Sequence, residues 1–374
     1  MKKTICFLRL APTSPIHGNQ LNPWWYHENN FNVLFWDISR LFFKIKSLEN
    51  YKVHKNYYFT GPNDRIFENK NEFINELNKL DKNTIILYFN RNPFIISNFK
   101  DEWLIKELRV FKKLGLIQFD TRPLGNTLYQ KFKDIYRIYK NRYLSNQLNP
   151  KFFISVGKYG EYWSKKIYPK SKSINVASPL IDWHVKTNNN FKKFILFVEE
   201  SFINQPDAKM YNDVYCNDTK NYHKRMNAFF DFVETKTGKK VIIGASGRYF
   251  YNNDIFNGRE IIYNKTLELI SNSYLTIGHC SLALYQVVLY NTPLLLVHDY
   301  SFTFKQIIEN HYSANLLESN HINNTERSWK KIEKIINRPS KLNNKIINNF
   351  FDSNINSNVK VDYKTEIKKY FDIM

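Results

Sequence analysis

The chain has 374 residues, too many for one ordinary core and about right for two. Hydrophobic residues make up 43% and charged residues only 24%, with no long Gly, Ser or Pro tract, so the composition excludes a mainly disordered protein. Fifty-five Lys plus Arg against 34 Asp plus Glu leave a net charge of +21, which calls for anionic partners: nucleic acid, anionic lipid, nucleotide sugar or acidic glycan.

In chain order, Thr4 to Leu10, Asn32 to Trp36, Thr84 to Tyr88, Leu116 to Phe119 and Phe152 to Val156 read as strands. They are near-continuous apolar runs, as strands of a parallel sheet covered on both faces should be. Helical patterns at Lys100 to Leu114 and Thr127 to Leu144 lie between them. In the second of these, Tyr129, Phe132, Tyr136, Tyr139 and Tyr143 share one face and Lys133, Arg137 and Lys140 the other, so the aromatic face is expected in the core. The stretch Lys131 to Lys172 holds eleven Lys or Arg against Asp134 and Glu161, and docking of its basic face to an anionic inner-membrane surface is the sharper alternative. Asp182 to Lys192 has no apolar periodicity and reads as a linker or a surface loop.

A second alternation follows, with strands at Phe194 to Val198, Val241 to Ile243, Tyr274 to Ile277 and Leu294 to Val297, and helices at Asn221 to Lys236, Lys265 to Ser271 and Leu282 to Tyr290. The expected fold class is α/β, with two Rossmann-type domains: residues 1–185, residues 186–340, and a helical, solvated tail at 341–374. Tyr274 to Val297 carries no Asp, Glu, Lys or Arg, but Gly278, His279, Gln286, Asn291 and Pro293 favour strand, buried helix and strand over a membrane span. Met1 to Leu10 lacks the marks of a signal peptide, and Cys6, Cys216 and Cys280 form no disulfide framework or zinc spacing, so a cytoplasmic protein is expected.

Two turns carry the chemistry of the second half. Gly244-Ala245-Ser246-Gly247-Arg248 follows a strand; its glycines let backbone N–H groups approach a ligand, and Arg248 suits a phosphate or carboxylate. The alternative is a plain tight turn. Gly278-His279-Cys280-Ser281 opens the next helix, with Ser281 at its N-cap and exposed N–H groups that favour an anion; His279 either adds a donor or packs inside. Glu260 and Glu268 are candidates to receive a ribose hydroxyl pair.

Glu199-Glu200, Pro206-Asp207, Phe229 to Glu234, the Gly244 turn, Phe256-Asn257-Gly258-Arg259, Thr266 to Ile270, His279-Cys280-Ser281 and Tyr290 to Pro293 follow one another in an order that resembles bacterial GT-B glycosyltransferases of surface-polysaccharide synthesis. The pattern looks closest to the sialyl-, Kdo- and nonulosonate transferases. The resemblance implies two α/β domains facing across a cleft, with the donor nucleotide, commonly CMP, on the C-terminal domain. Residues Gly244 to Arg248 stand at the family's His-Pro position without a His-Pro pair, and His279 to Ser281 at its Ser-rich position. It further implies that the N-terminal domain supplies acceptor and base: His17, Gly18 and Asn19 after the first strand, and Asp120 and Arg122 after another. Glu199 and Glu200 are further base candidates, although adjacent strand residues point to opposite sides. No D-x-D sequence occurs, which fits a metal-independent mechanism with no cofactor beyond the nucleotide-sugar co-substrate. The acceptor would be a surface glycan or glycolipid. A UDP- or GDP-hexose donor is the alternative within this class, and a basic nucleic-acid-binding protein the alternative outside it.

Overall fold

The computed structural model describes residues 2–10, 15–42, 59–89, 102–119, 148–179, 193–204, 214–247, 249–279, 281–304, 319–339 and 362–374, with 132, 135, 136, 138, 139, 306, 307, 313, 314 and 317 between them; the side chains of 15–17, 102, 118, 159, 253 and 282 are outside the description. The chain divides into two compact units. One comprises residues 1–49, 55–182 and 348–374, the other residues 50–54 and 183–347.

The first unit is built on β1 (Thr4–Arg9), β2 (Asn32–Asp37), β3 (Asp64–Ile66), β4 (Ile85–Phe89), β5 (Lys113–Gln118), β6 (Phe152–Val156) and β7 (Lys172–Val176). Among the described residues they form one parallel sheet in the order β3-β2-β1-β4-β5-β6-β7. Side chains alternate across it. Cys6 and Leu8 pack with Trp36 and Tyr88 on one face, and Ile5 and Phe7 with Phe35 and Leu87 on the other. Both faces are buried, which is why the central strands read as continuous apolar runs. Gly115 in β5 is required by close approach: a Cβ there would lie 2.0 Å from Cε2 of the Phe152 ring.

The second unit repeats the plan with β8 (Phe194–Glu199), β9 (Val241–Ala245), β10 (Ile261–Tyr263), β11 (Ser273–Gly278), β12 (Leu294–His298) and β13 (Asn320–Asn323), in the order β10-β9-β8-β11-β12-β13. All described pairings are parallel. The helices Thr219–Thr237 and Glu326–Asn337 bury Phe229, Phe230, Val233, Ile332 and Ile336 with Ile195, Phe197, Ile277 and Val297 of the sheet. The long helix begins on an Asp218 cap and stops at Gly238, whose φ of 65° is the left-handed C-terminal signal.

Several expectations change. Lys100 to Leu114 is not one helix: the helix is Glu102–Leu108, and Lys113 already belongs to β5. Leu282 to Tyr290 is a 3₁₀ helix, Leu282–Val288, and the uncharged stretch around it is β11, this helix and β12. Among the described residues no helix is long and apolar enough to cross a membrane. The aromatic face at 127–144 lies only partly within the described residues, and there it is not in the core: Phe132, Tyr136 and Tyr139 are 69%, 66% and 69% exposed. The end of the chain is not solvated. The helix Tyr363–Ile373 buries Tyr363, Ile367 and Phe371 against Tyr26, Phe31 and Phe152 of the first unit. The linker Asp182 to Lys192 lies outside the described residues.

Candidate functional site

In a parallel sheet every carboxyl end lies on one edge, and a ligand crevice forms where successive strands step to opposite sides of the first. In the second unit that point lies between β8 and β11, because β9 and β10 follow on one side of β8 and β11 returns on the other. The turns leaving β8, β9 and β11 are Glu199 to Ser201, Ser246 to Gly247 and His279 to Ser281. The sequence singles out most of these residues in three separate stretches, and the sheet order brings them to one edge. Gly278 and Val198 are paired, and so are Glu199 and Ala245, which sets the three turns level.

The turn after β8 is organised by Glu199. Its side chain is 1% exposed; Oε1 accepts the Phe202 N–H at 2.9 Å and the Tyr251 hydroxyl at 2.9 Å, and the buried Oε2 has no hydrogen-bond partner. Burial pushes this carboxyl above the ordinary range, against the pull of those donors. Ser201 next to it is fully buried at φ 60°, a left-handed conformation that a serine adopts at a cost and that the Glu199 contacts hold in place. Its hydroxyl lies 3.4 Å from that of Ser246. Glu200 is half-buried.

The turn after β9 is tied to the end of β10: the Gly247 N–H donates to Asn264 Oδ1 at 2.9 Å. Gly244 is inside the strand, where a Cβ would meet Leu196 and Leu269. The turn after β11 starts at Gly278, where a Cβ would sit 2.7 Å from Leu284, so glycine lets the following 3₁₀ helix pack down on the strand. Ser281 caps that helix, its Oγ accepting the Ala283 N–H at 3.2 Å. A seven-residue 3₁₀ helix aligns few peptide dipoles, so the anion preference expected of an α-helix start is weaker here.

His279 is the clearest correction. It is fully buried, with Nδ1 2.7 Å from the Val297 carbonyl and Nε2 2.6 Å from the Tyr222 hydroxyl. A carbonyl can only accept, so Nδ1 carries the hydrogen and Nε2 accepts from Tyr222. Desolvation pushes its pKa down to about 4, so the ring is neutral at pH 7 and has no nitrogen left for a ligand. Glu260 is the second correction. It is exposed and stands just before β10, on the amino edge of a parallel sheet, opposite the turns it was expected to join. Glu268 is exposed in the first turn of the helix Thr266–Asn272. Arg248 and Cys280 lie outside the described residues.

Sequence reasoning missed the Arg225–Asp299 clamp on the same edge. Arg225, on the long helix, holds the fully buried Asp299 after β12 through Nη2–Oδ1 at 2.6 Å and Nε–Oδ2 at 2.8 Å, and reaches Asp218 at 2.7 Å. Asn324, after β13, donates to the same carboxylate at 3.1 Å. Burial acts to raise the Asp299 pKa, but these donors outweigh it and hold the group below the usual carboxylate range. The available signal was an aspartate immediately after an apolar strand, with no visible partner within the same stretch.

In the first unit, the helix Pro15–Leu21 leaves β1 at the carboxyl edge, beside its own switch between β1 and β4. Gly18 does admit a close approach, but Phe59 makes it: a Cβ would fall 1.9 Å from that ring. Asn19 is exposed, and the side chain of His17 is outside the described residues. Asp120 and Arg122 are outside them as well. Among the described residues no group of three or more His, Cys, Asp or Glu is placed to hold a metal ion.

No protein-family model matches the chain. No curated protein matches it either. Solved structures do. The chain is similar to UDP-GlcNAc 2-epimerase from Methanocaldococcus jannaschii, at 10% identity over 100% of both chains with a TM-score of 0.55. The same enzyme in complex with UDP-GlcNAc and UDP matches at 11% identity over 99% of each chain with a TM-score of 0.53. Acinetobacter baumannii MurG covers both chains completely at 10% identity, but its TM-score of 0.47 is too low to carry an argument. At these identities the likeness establishes the fold: two Rossmann-type α/β units of the GT-B class.

Proposed function

We propose that the chain is a nucleotide-sugar enzyme whose second unit binds a UDP-linked sugar at the carboxyl-edge turns around β8, and that the reaction is glycosyl transfer. The observation that carries this reading is the meeting of the Ser201, Ser246 and Ser281 turns at the switch point of a Rossmann-type sheet, where such folds hold nucleotides. The resemblance implied a CMP-linked sugar acid. The structures similar to this chain are named for a UDP-sugar instead, and UDP replaces CMP as the donor nucleotide in our reading. His279 contributes neither charge nor donor to it. The hydroxyls of Ser246 and Ser281 and the main chain beside them are offered to the diphosphate, and Arg248 supplies the cation for the leaving phosphate. Glu199 holds the turn, leaving Glu200, His17 and Asp120 as base candidates. A glycan hydroxyl is the acceptor.

Epimerisation of the bound sugar is a second reading, favoured by the name of the two similar structures. A thermal-unfolding panel of UDP, UDP-GlcNAc, UDP-glucose, GDP and CMP is the first test. A ligand at about 100 times its dissociation constant stabilises the unit that binds it by roughly 2.7 kcal/mol. Selective stabilisation by UDP and its sugars is expected; response to CMP alone restores the sugar-acid donor, and no response to any nucleotide ends the reading. Incubation with the responding sugar nucleotide then separates the reactions. Transfer liberates UDP when a glycan acceptor is present, whereas epimerisation changes the sugar's stereochemistry without an acceptor.

A further inference from the structure

Phe132, Ile135, Tyr136 and Tyr139 are helical, and they follow the spacing i, i+3, i+4, i+7 that places side chains along one stripe of a helix. All four are exposed, at 69%, 49%, 66% and 69%. Ile138, off that stripe, packs instead on the core of the first unit that contains Leu8, Trp36 and Trp163. The helix thus has an anchoring side and an aromatic side turned to water. Bulky apolar side chains grouped in this way on a surface mark an interaction site, unlike apolar residues scattered singly. In the sequence the neighbouring positions are Lys131, Lys133, Arg137, Lys140 and Arg142, with Asp134 the one acid among them.

From the exposed stripe and the basic sequence around it we infer that Phe132–Ile135–Tyr136–Tyr139 is a docking surface for an anionic lipid bilayer, with these side chains entering the interface. Aromatic rings with polar tips suit the headgroup level, and an aliphatic Ile135 among them suits an acyl boundary better than a stack of nucleobases. The net charge of +21 draws the whole molecule to the same surface. The aromatic face, rather than the basic face alone, is the part that inserts. The inference is independent of the proposed chemistry.

The test uses the full chain and vesicles of phosphatidylcholine, with and without an equimolar share of phosphatidylglycerol. Two variants accompany it, Phe132→Ser/Tyr136→Ser/Tyr139→Ser and Lys133→Glu/Arg137→Glu/Lys140→Glu, with thermal unfolding as the check that each is folded. The wild type should sediment with the anionic vesicles and much less with neutral ones. Reversing three charges should weaken the association by about a hundredfold or more, at about 1 kcal/mol for each basic residue lost. The serine variant should lose at least about tenfold while keeping its charge. A Tyr136→Trp variant should show blue-shifted emission on anionic vesicles. Wild type that stays in the supernatant overturns the inference. So does a folded serine variant that binds as wild type does, or a stripe that is needed for binding single-stranded RNA but not vesicles.

Discussion

Glu199 and His279 end neighbouring strands of the second unit, both are buried, and burial moves their pKa values in opposite directions. The folded pKa of His279, about 4, is below the ordinary value of 6.5, so its contribution to stability is complete above pH 6.5 and is lost as pH falls through 4. The full effect is about 3 kcal/mol. Urea unfolding at pH 7 and pH 4 should show a smaller acid loss in His279→Asn than in wild type. At pH 7, His279→Ala should cost about 2–5 kcal/mol, through a cavity and an unpaired Tyr222 hydroxyl. Glu199 works the other way. Its raised pKa means a contribution complete below the ordinary 4.5 and lost as pH rises through the folded value. Glu199→Gln keeps an acceptor without the charge, so its stability relative to wild type should rise as pH climbs above 4.5, whereas Glu199→Ala should be destabilised throughout. A Gln variant with the wild-type pH profile would mean the carboxyl is already ionised and solvated. Both residues could be picked from the sequence as candidates because each stands at a strand end. Neither inward orientation could, since His279 is satisfied by Tyr222 from another helix and by Val297 from another strand.

At the scale of elements, the pattern of what was readable follows burial. Every central strand stands out as an apolar run, because it is covered on both faces. The four strands that escaped notice, β3, β7, β10 and β13, are the four sheet edges. Their burial is partial, with none of the residues of β3 or β10 fully buried and one each in β7 and β13. An edge strand has one neighbour and half the cover, so polar residues are tolerated and the hydrophobic signal fades. The C-terminal helix shows the same limit from the other direction. Its buried residues, Tyr363, Ile367 and Phe371, keep helical spacing, but nothing local says that their partners are Tyr26, Phe31 and Phe152, more than two hundred residues away. Phe371→Ala should cost about 3–5 kcal/mol, read as a lowered denaturation midpoint with circular dichroism. Gly115→Ala should also destabilise, since the added methyl overlaps the Phe152 ring; an unchanged midpoint would mean that the ring has room to move.

The whole molecule carries two separate sets of hydrophobic clusters, one per unit. Calorimetry should therefore resolve two unfolding transitions, and UDP should raise only one of them. Arg225→Ala, which leaves the buried Asp299 carboxylate without its forked partner, should lower that same transition by about 3–5 kcal/mol and leave the other where it was. If the nucleotide and the Arg225 substitution moved different transitions, the ligand would belong to the first unit.

By itself the sequence determined the class of fold, two α/β units built on parallel sheets, because apolar runs and helical periods are local properties of the chain. Only the tertiary structure decided the rest. The sheet order chose which turns meet, packing took Glu199 out of solvent, and the parallel direction of β10 put Glu260 on the edge away from the others. The same packing buried His279 and left the aromatic stripe at Phe132 facing water. Each of these depends on partners distant in the chain, and a pairing between distant residues leaves no mark on the local sequence that makes it.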